Sequence, residues 1–331
     1  GEPAVQDHSL GVISDVVRRY DIDGVHIDDY FYPYKEKDAC GELIDFPDET
    51  SWQRYVRSGG PLSRDDWRRD NVNIFVERLY RSIKTQKPWV KFGISPFGIW
   101  RPGHPPQIQG LDAYAELYAD ARHWLRNGWA DYFAPQLYWK IAAPAQSYPL
   151  LLQWWIEQNA QGRHIWPGNF TSRVGSDASP SWPAEEIIDQ IEATRAQPGA
   201  TGNIHFSMKA LLRENTGLPR LLAESVYAQP ALVPASPWLS NTRPDKPALT
   251  VEQADNQFKL SWQPNDAAKV WLWLVQWRAG NVWKTDVLPG GQTSFVWQLS
   301  EVVEIVAVSA VDRCGNTGTS AIVAPHGELP Y

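Results

Sequence analysis

The sequence predicts an α/β fold built on a parallel sheet, followed by a small all-β sandwich. Three observations carry this reading. Residues 20–34 read as a short buried strand, Gly24-Val25-His26-Ile27, which ends in Asp28 and Asp29 and then a run of aromatics closed by Pro33. Strand-like and helix-like segments alternate through residues 1–228, the pattern of βαβ units and a parallel sheet. Beyond a Pro-rich stretch at residues 229–247, the chain turns to short strands separated by turn signals.

The elements follow in order. Pro3 opens a helix over residues 3–20, a favoured place because that N–H has no helical partner. Val5, Leu10, Val12, Ile13, Val16 and Val17 recur at helical spacing. The strand at 24–28 follows, then a long polar insertion at 35–63 with Gly41, Gly59, Gly60 and Pro61. A loop of that length in a compact domain is usually functional or mobile. Ser63, followed by Asp65 and Asp66, predicts a helix from about 64 to 86. Further strands are expected at 90–95, 132–139, 164–170 and 203–208, and helices at 112–127, 146–160, 183–196 and 209–226.

That makes five strands. A closed eight-stranded barrel needs three more, so this chain is expected to lack the first part of such a barrel. An open doubly wound sheet would accommodate the same strands with nothing missing.

Residues 248–331 contain about seven short strands, which read as a β-sandwich. The expected boundaries are 1–228 for the α/β domain, 229–247 for a linker or domain-edge strap, and 248–331 for the sandwich.

Composition narrows the function classes. The net charge is −7 and the basic residues are scattered, so no nucleic-acid partner is expected. No apolar run approaches the roughly 20 residues of a membrane helix. The opening Gly1-Glu2-Pro3 is read as an interior start, with an upstream signal expected to have been removed. Cys40 and Cys314 lie far apart and make no disulfide framework. The 18 Trp and 13 Tyr suit both core packing and sugar binding, where a flat ring stacks on a pyranose. Metal-ligand spacings, a Walker loop and a Gly-x-Ser-x-Gly are all missing, so no metal, nucleotide or other cofactor is expected.

Four blocks carry a family resemblance: Tyr20 to Tyr34, Asp66-Trp67-Arg68-Arg69-Asp70-Asn71-Val72-Asn73, Lys91 to Arg101, and Asp131 to Trp139. In order and spacing they resemble the bacterial glycosyl-hydrolase-like 10 family over roughly residues 1–230. The resemblance implies a (β/α)8 TIM-type barrel, glycosidase chemistry and a place in the bacterial cell envelope. Enterobacterial members are outer-membrane lipoproteins that cleave peptidoglycan glycan strands stripped of stem peptides. The segment Val311-Asp312-Arg313-Cys314-Gly315-Asn316 resembles the end of a fibronectin type III domain.

Glycoside hydrolysis passes through an oxocarbenium-like state that one carboxylate stabilises as nucleophile or base, while a second carboxyl protonates the leaving oxygen. Strand alternation places His26 and Asp28 on one face and Asp29 on the other, so Asp28 is the expected nucleophile or base. Asp29 is expected to orient a rim residue or meet a sugar hydroxyl. The acid is sought in the insertion, at Asp45, Asp48 or Glu49, or in the absent part of the barrel. Tyr30, Tyr32, Trp100 and Trp139 follow strand ends and are expected to stack on sugars, with core packing the competing role. His26, Arg68, Asn71, Arg101, Gln136, Tyr138, Lys140 and Asn169 are expected to contact substrate, with a core role competing for His26 and a structural pairing with Asp65, Asp66 or Asp70 for at least one of Arg68, Arg69 and Asn71.

Four competing readings remain. One is a sandwich-mediated scaffold, which needs a partner that the sequence does not name. Asp28 and Asp29 serve a turn through local hydrogen bonds. The protein binds glycan through the same aromatic cleft without cleaving it. The strand is also similar to the Asp-Gly-x-Asp-x-Asp-x-Glu strand of chitinase-type barrels, where a substrate N-acetyl group attacks, but Tyr30 and His26 stand where that pattern has Glu and Asp.

Overall fold

The computed structural model describes residues 1–175, 180–254, 257–298 and 303–324. The chain divides into two units, Gly1–Leu222 and Ala223–Tyr331.

The first unit alternates helix and strand: α1 (Pro3–Arg19), β1 (Gly24–Ile27), α2 (Glu49–Arg57), α3 (Arg64–Gln86), β2 (Lys91–Ile94), α4 (Ala113–Glu116), α5 (Ala121–Asn127) and β3 (Tyr132–Phe133). It continues with α6 (Tyr148–Glu157), β4 (His164–Ile165), β5 (Gly168–Asn169), α7 (Ala184–Ala196), β6 (Ile204–His205) and α8 (Met208–Leu211), and α9 (Leu218–Glu224) runs past the unit's end at Leu222. Strands β1 to β4 pair in parallel in chain order, and β5 pairs with β6 in parallel. Single bridges from Phe97 to Gln136 and from Gln136 to Gly168 carry the pairing on beyond the regular strands. The order never reverses, so it lacks the switch point of a doubly wound sheet. The sheet is open among the described residues.

The two faces of this sheet differ. Ile27, Ile94, Phe133 and Ile165 stand in register on one face and join a core with Val76, Leu79, Ile83, Trp124 and Trp155 from the helices. His26, Gly93, Tyr132 and His164 form the neighbouring row, on the opposite face by the strand pleat. A Cβ at Gly93 would come within 1.9 Å of the Tyr132 ring. The missing side chain lets that ring lie across β2 and stack on His26 at 5.7 Å.

Local sequence accounts for the helix starts. The Ser63 side chain accepts a hydrogen bond from the Asp66 N–H, and Asp65 and Asp66 occupy the first turn of α3. The helix expected at 112–127 is two helices, α4 and α5. Asp112 and Asp120 each cap one of them, and Tyr118 between them adopts φ +53°. That break sends the Tyr118 hydroxyl to Arg68 at 2.7 Å, a long-range contact that helical periodicity does not record. The helix expected at 209–226 is likewise interrupted, with Gly217 at φ +70° just ahead of α9. The insertion at 35–63, expected as a loop, contains α2.

The second unit holds β7 (Ala248–Ala254), β8 (Gln257–Gln263), β9 (Leu272–Ala279), β10 (Val282–Pro289), β11 (Ser294–Gln298), β12 (Val303–Val311) and β13 (Ala321–Val323). They form two antiparallel sheets, ordered β10-β9-β12-β13 and β11-β8-β7. Trp262 of β8 meets Trp273 of β9 edge-on at 5.9 Å and ties the sheets through a core with Phe258, Leu260, Val275, Val306 and Val308. The result is a β-sandwich-like unit. Part of the Pro-rich stretch lies against it: the Ser236 N–H donates to the Cys314 carbonyl at 2.8 Å, and Asn316 Nδ2 donates to the Ser240 carbonyl at 2.9 Å. Gly315, at φ +84°, lies so close to Val233, Pro234 and Ala235 that a Cβ would meet their backbones at 3.0 Å. Cys40 is exposed and Cys314 is buried, each as a free thiol.

Candidate active site

Strand β1 delivers Asp28 and Asp29 at its C-terminal end, where parallel α/β folds place their chemistry. The two carboxylates meet different surroundings. Asp28 is exposed, and its Oδ1 accepts from Gln136 Nε2 at 2.7 Å and from the Asp29 N–H at 3.0 Å. Asp29 is 3 % exposed and accepts from the Tyr34 hydroxyl at 2.5 Å. Partial burial, and then the charge of Asp29, push the Asp28 carboxyl above the usual aspartate range, and no ion pair to Asp28 is formed among the described residues. Gln136 also donates to the Ser95 carbonyl at 3.2 Å, so its amide is tied to the end of β2.

Around this pair, the structure brings some of the expected residues together. Asp28, Tyr30 and Asn71 line one cleft of about 430 Å³. Tyr30 is 72 % exposed and meets Tyr34 edge-on. Asn71 Nδ2 is buried with no hydrogen-bond partner among the described residues. Tyr138 stacks near Phe170 at 4.9 Å and Phe206 at 5.5 Å. Burial, and then the charges of Asp28 and Asp29, raise its pKa, so Tyr138 keeps its proton and remains a donor beside them. Desolvation lowers the pKa of His26 against the pull of Asp28, and its Nδ1 lies 3.0 Å from the Tyr132 hydroxyl. Trp139 and Lys140 line a second cleft with Tyr138.

Other expected residues are placed in structural roles. Tyr32, 7 % exposed, packs edge-on against Phe46 and Tyr118 and beneath the Arg68 guanidinium. Trp100, 8 % exposed, stacks on Trp154 at 5.8 Å and donates from Nε1 to Asp120 at 3.0 Å. For both, core packing rather than an open sugar platform is what the structure presents. Arg68 is 2 % exposed and grips Asp48 through two hydrogen bonds, Nε at 2.8 Å and Nη2 at 2.7 Å, while Nη1 reaches Asp45 at 3.0 Å. Its donors are taken up by the insertion and by the Tyr118 hydroxyl. Asn169 is buried and donates to Gln190 at 2.9 Å, in an internal network with Asn203. Arg101 pairs with Asp112 at 3.2 Å.

The three acids considered in the insertion share one fate. Arg68 hydrogen bonding holds Asp45 below the usual range. Burial works to raise the pKa of Asp48, but hydrogen bonds from Arg68 and Arg64 outweigh it and hold the group low. Glu49 is exposed and pairs with Arg64 at 2.7 Å. Held low by arginines, Asp45 and Asp48 are poor proton donors near neutral pH.

Four residues near the site are not among those expected: Tyr132, Trp166, Arg173 and Trp182. Tyr132 and Trp166 extend the stack from His26, with rings 4.5 Å apart. Strand alternation at Tyr132-Phe133 could have marked Tyr132. Arg173 and Trp182 have no local signal, because they reach the second cleft through tertiary packing. Among the described residues, no group of three or more His, Cys, Asp or Glu is placed to hold a metal. No helix there is long and apolar enough to cross a membrane.

A mixed α/β unit with a solvent-facing carboxylate beside aromatic clefts offers the groups that carbohydrate binding and glycosidase chemistry use. The sequence comparison agrees: the profile of the family described as Glycosyl hydrolase-like 10 matches residues 1–183. That is more than half of the chain, and the chain belongs to this family. Glycosyl hydrolase YngK of Bacillus subtilis (strain 168) is 41% identical over 267 residues, covering 78% of this chain and 51% of that protein. Glycosyl hydrolase DigH of Escherichia coli (strain K12) is 35% identical over 227 residues, covering 65% of this chain and 50% of that protein. The chain thus spans about half the length of the curated relatives it matches. Among solved structures, an FN3 domain of human collagen XX aligns at 24% identity over 28% of this chain and 99% of that chain. Its TM-score of 0.22 carries no argument.

Proposed function

We propose that this protein hydrolyses glycosidic bonds of bacterial peptidoglycan glycan strands, preferably strands without stem peptides, with Asp28 as the central carboxyl. One observation carries the reading. Asp28 sits at the C-terminal end of a parallel strand, open to a cleft, held by a neutral amide and not by a cation. Asp28 serves as nucleophile or base, and its raised pKa makes it a stronger base than an ordinary aspartate. Asp29 tunes it electrostatically. Tyr30 offers a stacking face and Tyr138 a hydroxyl donor. Family membership, and the glycosyl hydrolase names of the relatives, support the reaction class.

The sequential parallel strands are read as an arc of a (β/α)8 barrel, with the His26–Tyr132 row facing its interior. The second unit is read as a fibronectin type III-like module, and the protein is assigned to the bacterial cell envelope.

The test measures product release from purified peptidoglycan glycan strands, with and without stem peptides, by the parent and by Asp28→Asn. Loss of a general base lowers the rate by roughly 10²–10⁴. Fragments from the parent and almost none from the variant are expected. A competing reading, a glycan binder that does not cleave, draws on Asp45, Asp48 and Glu49 all being tied to arginines. Retained binding with no fragments from either protein would favour it.

A further inference from the structure

We infer that the cleft of about 470 Å³ beyond Tyr138 is a subsite for a carboxylate-bearing sugar, with Lys140 and Arg173 holding the carboxylate. This deepens the hydrolase reading and rests on it for the site to which the subsite belongs. The wall of the cleft is aromatic: Tyr138, Trp139, Phe170 and Trp182 all line it. Phe170 ties the wall together, lying 4.9 Å from Tyr138 and 6.1 Å from Trp182 in ring centroids. Flat ring faces of this kind suit the apolar face of a pyranose.

Two cations stand in this apolar wall, in a chain whose net charge is −7. Both are half-buried, and neither forms an ion pair with a carboxylate among the described residues. The Arg173 guanidinium lies 5.8 Å from the Phe170 ring centre, and its Nη2 donates to the Pro180 carbonyl at 3.1 Å. That hydrogen bond fixes the group at the rim and leaves further N–H donors available, because a guanidinium carries five. Elsewhere in the same unit, the half-buried Arg64 and the buried Arg68 are matched by aspartates. A partly desolvated cation without a matched anion favours an anionic ligand, and a carboxylate accepts charge-assisted hydrogen bonds from both groups. Tyr138 links this cleft to the reacting end: it lines the cleft and stands two residues after Gln136, which donates to Asp28 at 2.7 Å.

The test is calorimetric binding to the full chain carrying Asp28→Asn, which separates affinity from turnover. Three probes are compared: a tetrasaccharide of alternating N-acetylglucosamine and N-acetylmuramic acid, the same tetrasaccharide with its carboxyls reduced to alcohols, and chitotetraose. The acidic tetrasaccharide should bind roughly tenfold or more tighter than its reduced form, and the preference should shrink as salt rises. Lys140→Met and Arg173→Gln should each erode the preference, and the double variant should abolish it while still binding chitotetraose, which also reports an intact fold. Equal affinity for the acidic and reduced forms, or a preference that survives in the double variant, overturns the subsite. Product release by the protein carrying Asp28 is measured separately. Carboxylate-selective binding without cleavage leaves the subsite standing and removes the hydrolase reading, whereas cleavage without selectivity does the reverse.

Discussion

Two aspartates of the first unit, Asp48 and Asp28, are pulled in opposite directions. Asp48 is buried, faces Arg64 and Arg68, and is held below the usual aspartate range. Asp28 faces Gln136, Asp29 and an open cleft, and is pushed above it. The difference lies in what each carboxylate faces. A carboxylate gripped by two guanidiniums stays ionised and fastens the insertion to α3. A carboxylate with a like charge beside it and only a neutral amide in front remains able to exchange a proton.

The comparison breaks most sharply at the buried cluster. Asp48→Asn leaves the buried Arg68 with the exposed Asp45 as its remaining counter-charge, so thermal or denaturant unfolding should report a loss of about 1.5–3 kcal/mol. A loss below about 1 kcal/mol would mean that Asp48 does not anchor the insertion. The pH dependence has a definite sign. Because Asp48 sits lower in the folded state than unfolded, its stabilisation is present above the unfolded pKa of about 3.9 and disappears as pH falls through the lower folded value. The stability curves of parent and variant should converge in acid.

A smaller effect is expected on the open face. Gly93→Ala drives a Cβ into the Tyr132 ring and should cost about 1–3 kcal/mol, the usual range for overpacking. The same substitution separates His26 from Tyr132, which would appear as a shift in the His26 titration followed by NMR. An unmoved His26 titration would show that the stack does not position the ring.

Next comes the amide that holds Asp28. Gln136→Ala removes the 2.7 Å hydrogen bond and should lower product release about tenfold, while the unfolding midpoint stays close to the parent's. Equal losses in activity and stability would make Gln136 a structural residue.

The smallest effect sharpens the contrast most. Asp28 is raised in the folded state, so its ionisation opposes folding, and its contribution to stability falls as pH rises past about 4. Asp28→Asn should therefore be neutral to slightly stabilising at pH 7, by less than about 0.5 kcal/mol, and should lose that advantage in acid. Destabilisation at neutral pH would put Asp28 in the same structural class as Asp48.

Local chemistry is legible in the amino-acid sequence. Ser63 with its two following aspartates marks the start of α3, Pro3 marks the start of α1, and the apolar segments near residues 24, 91, 132, 164 and 204 are where strands stand. Each of these signals acts over a few residues: a cap, a fixed φ, a period. The placement of Asp28 and Asp29 at a strand end is readable for the same reason. The break between α4 and α5 is not, because it depends on Tyr118 reaching Arg68, 50 residues away.

What the sequence determined alone was therefore the chain of elements and the position of the carboxylate pair along it. Tertiary structure decided which polar and aromatic side chains stay available. Tyr30 and Tyr32 are two residues apart and of the same type, yet one faces solvent and the other is buried under Arg68. Arg68 and Arg173 carry the same group, yet one is enclosed by aspartates and the other lines a cleft. Burial and charge pairing depend on segments distant in the chain packing against each other, and side-chain type and spacing do not encode which of them will meet.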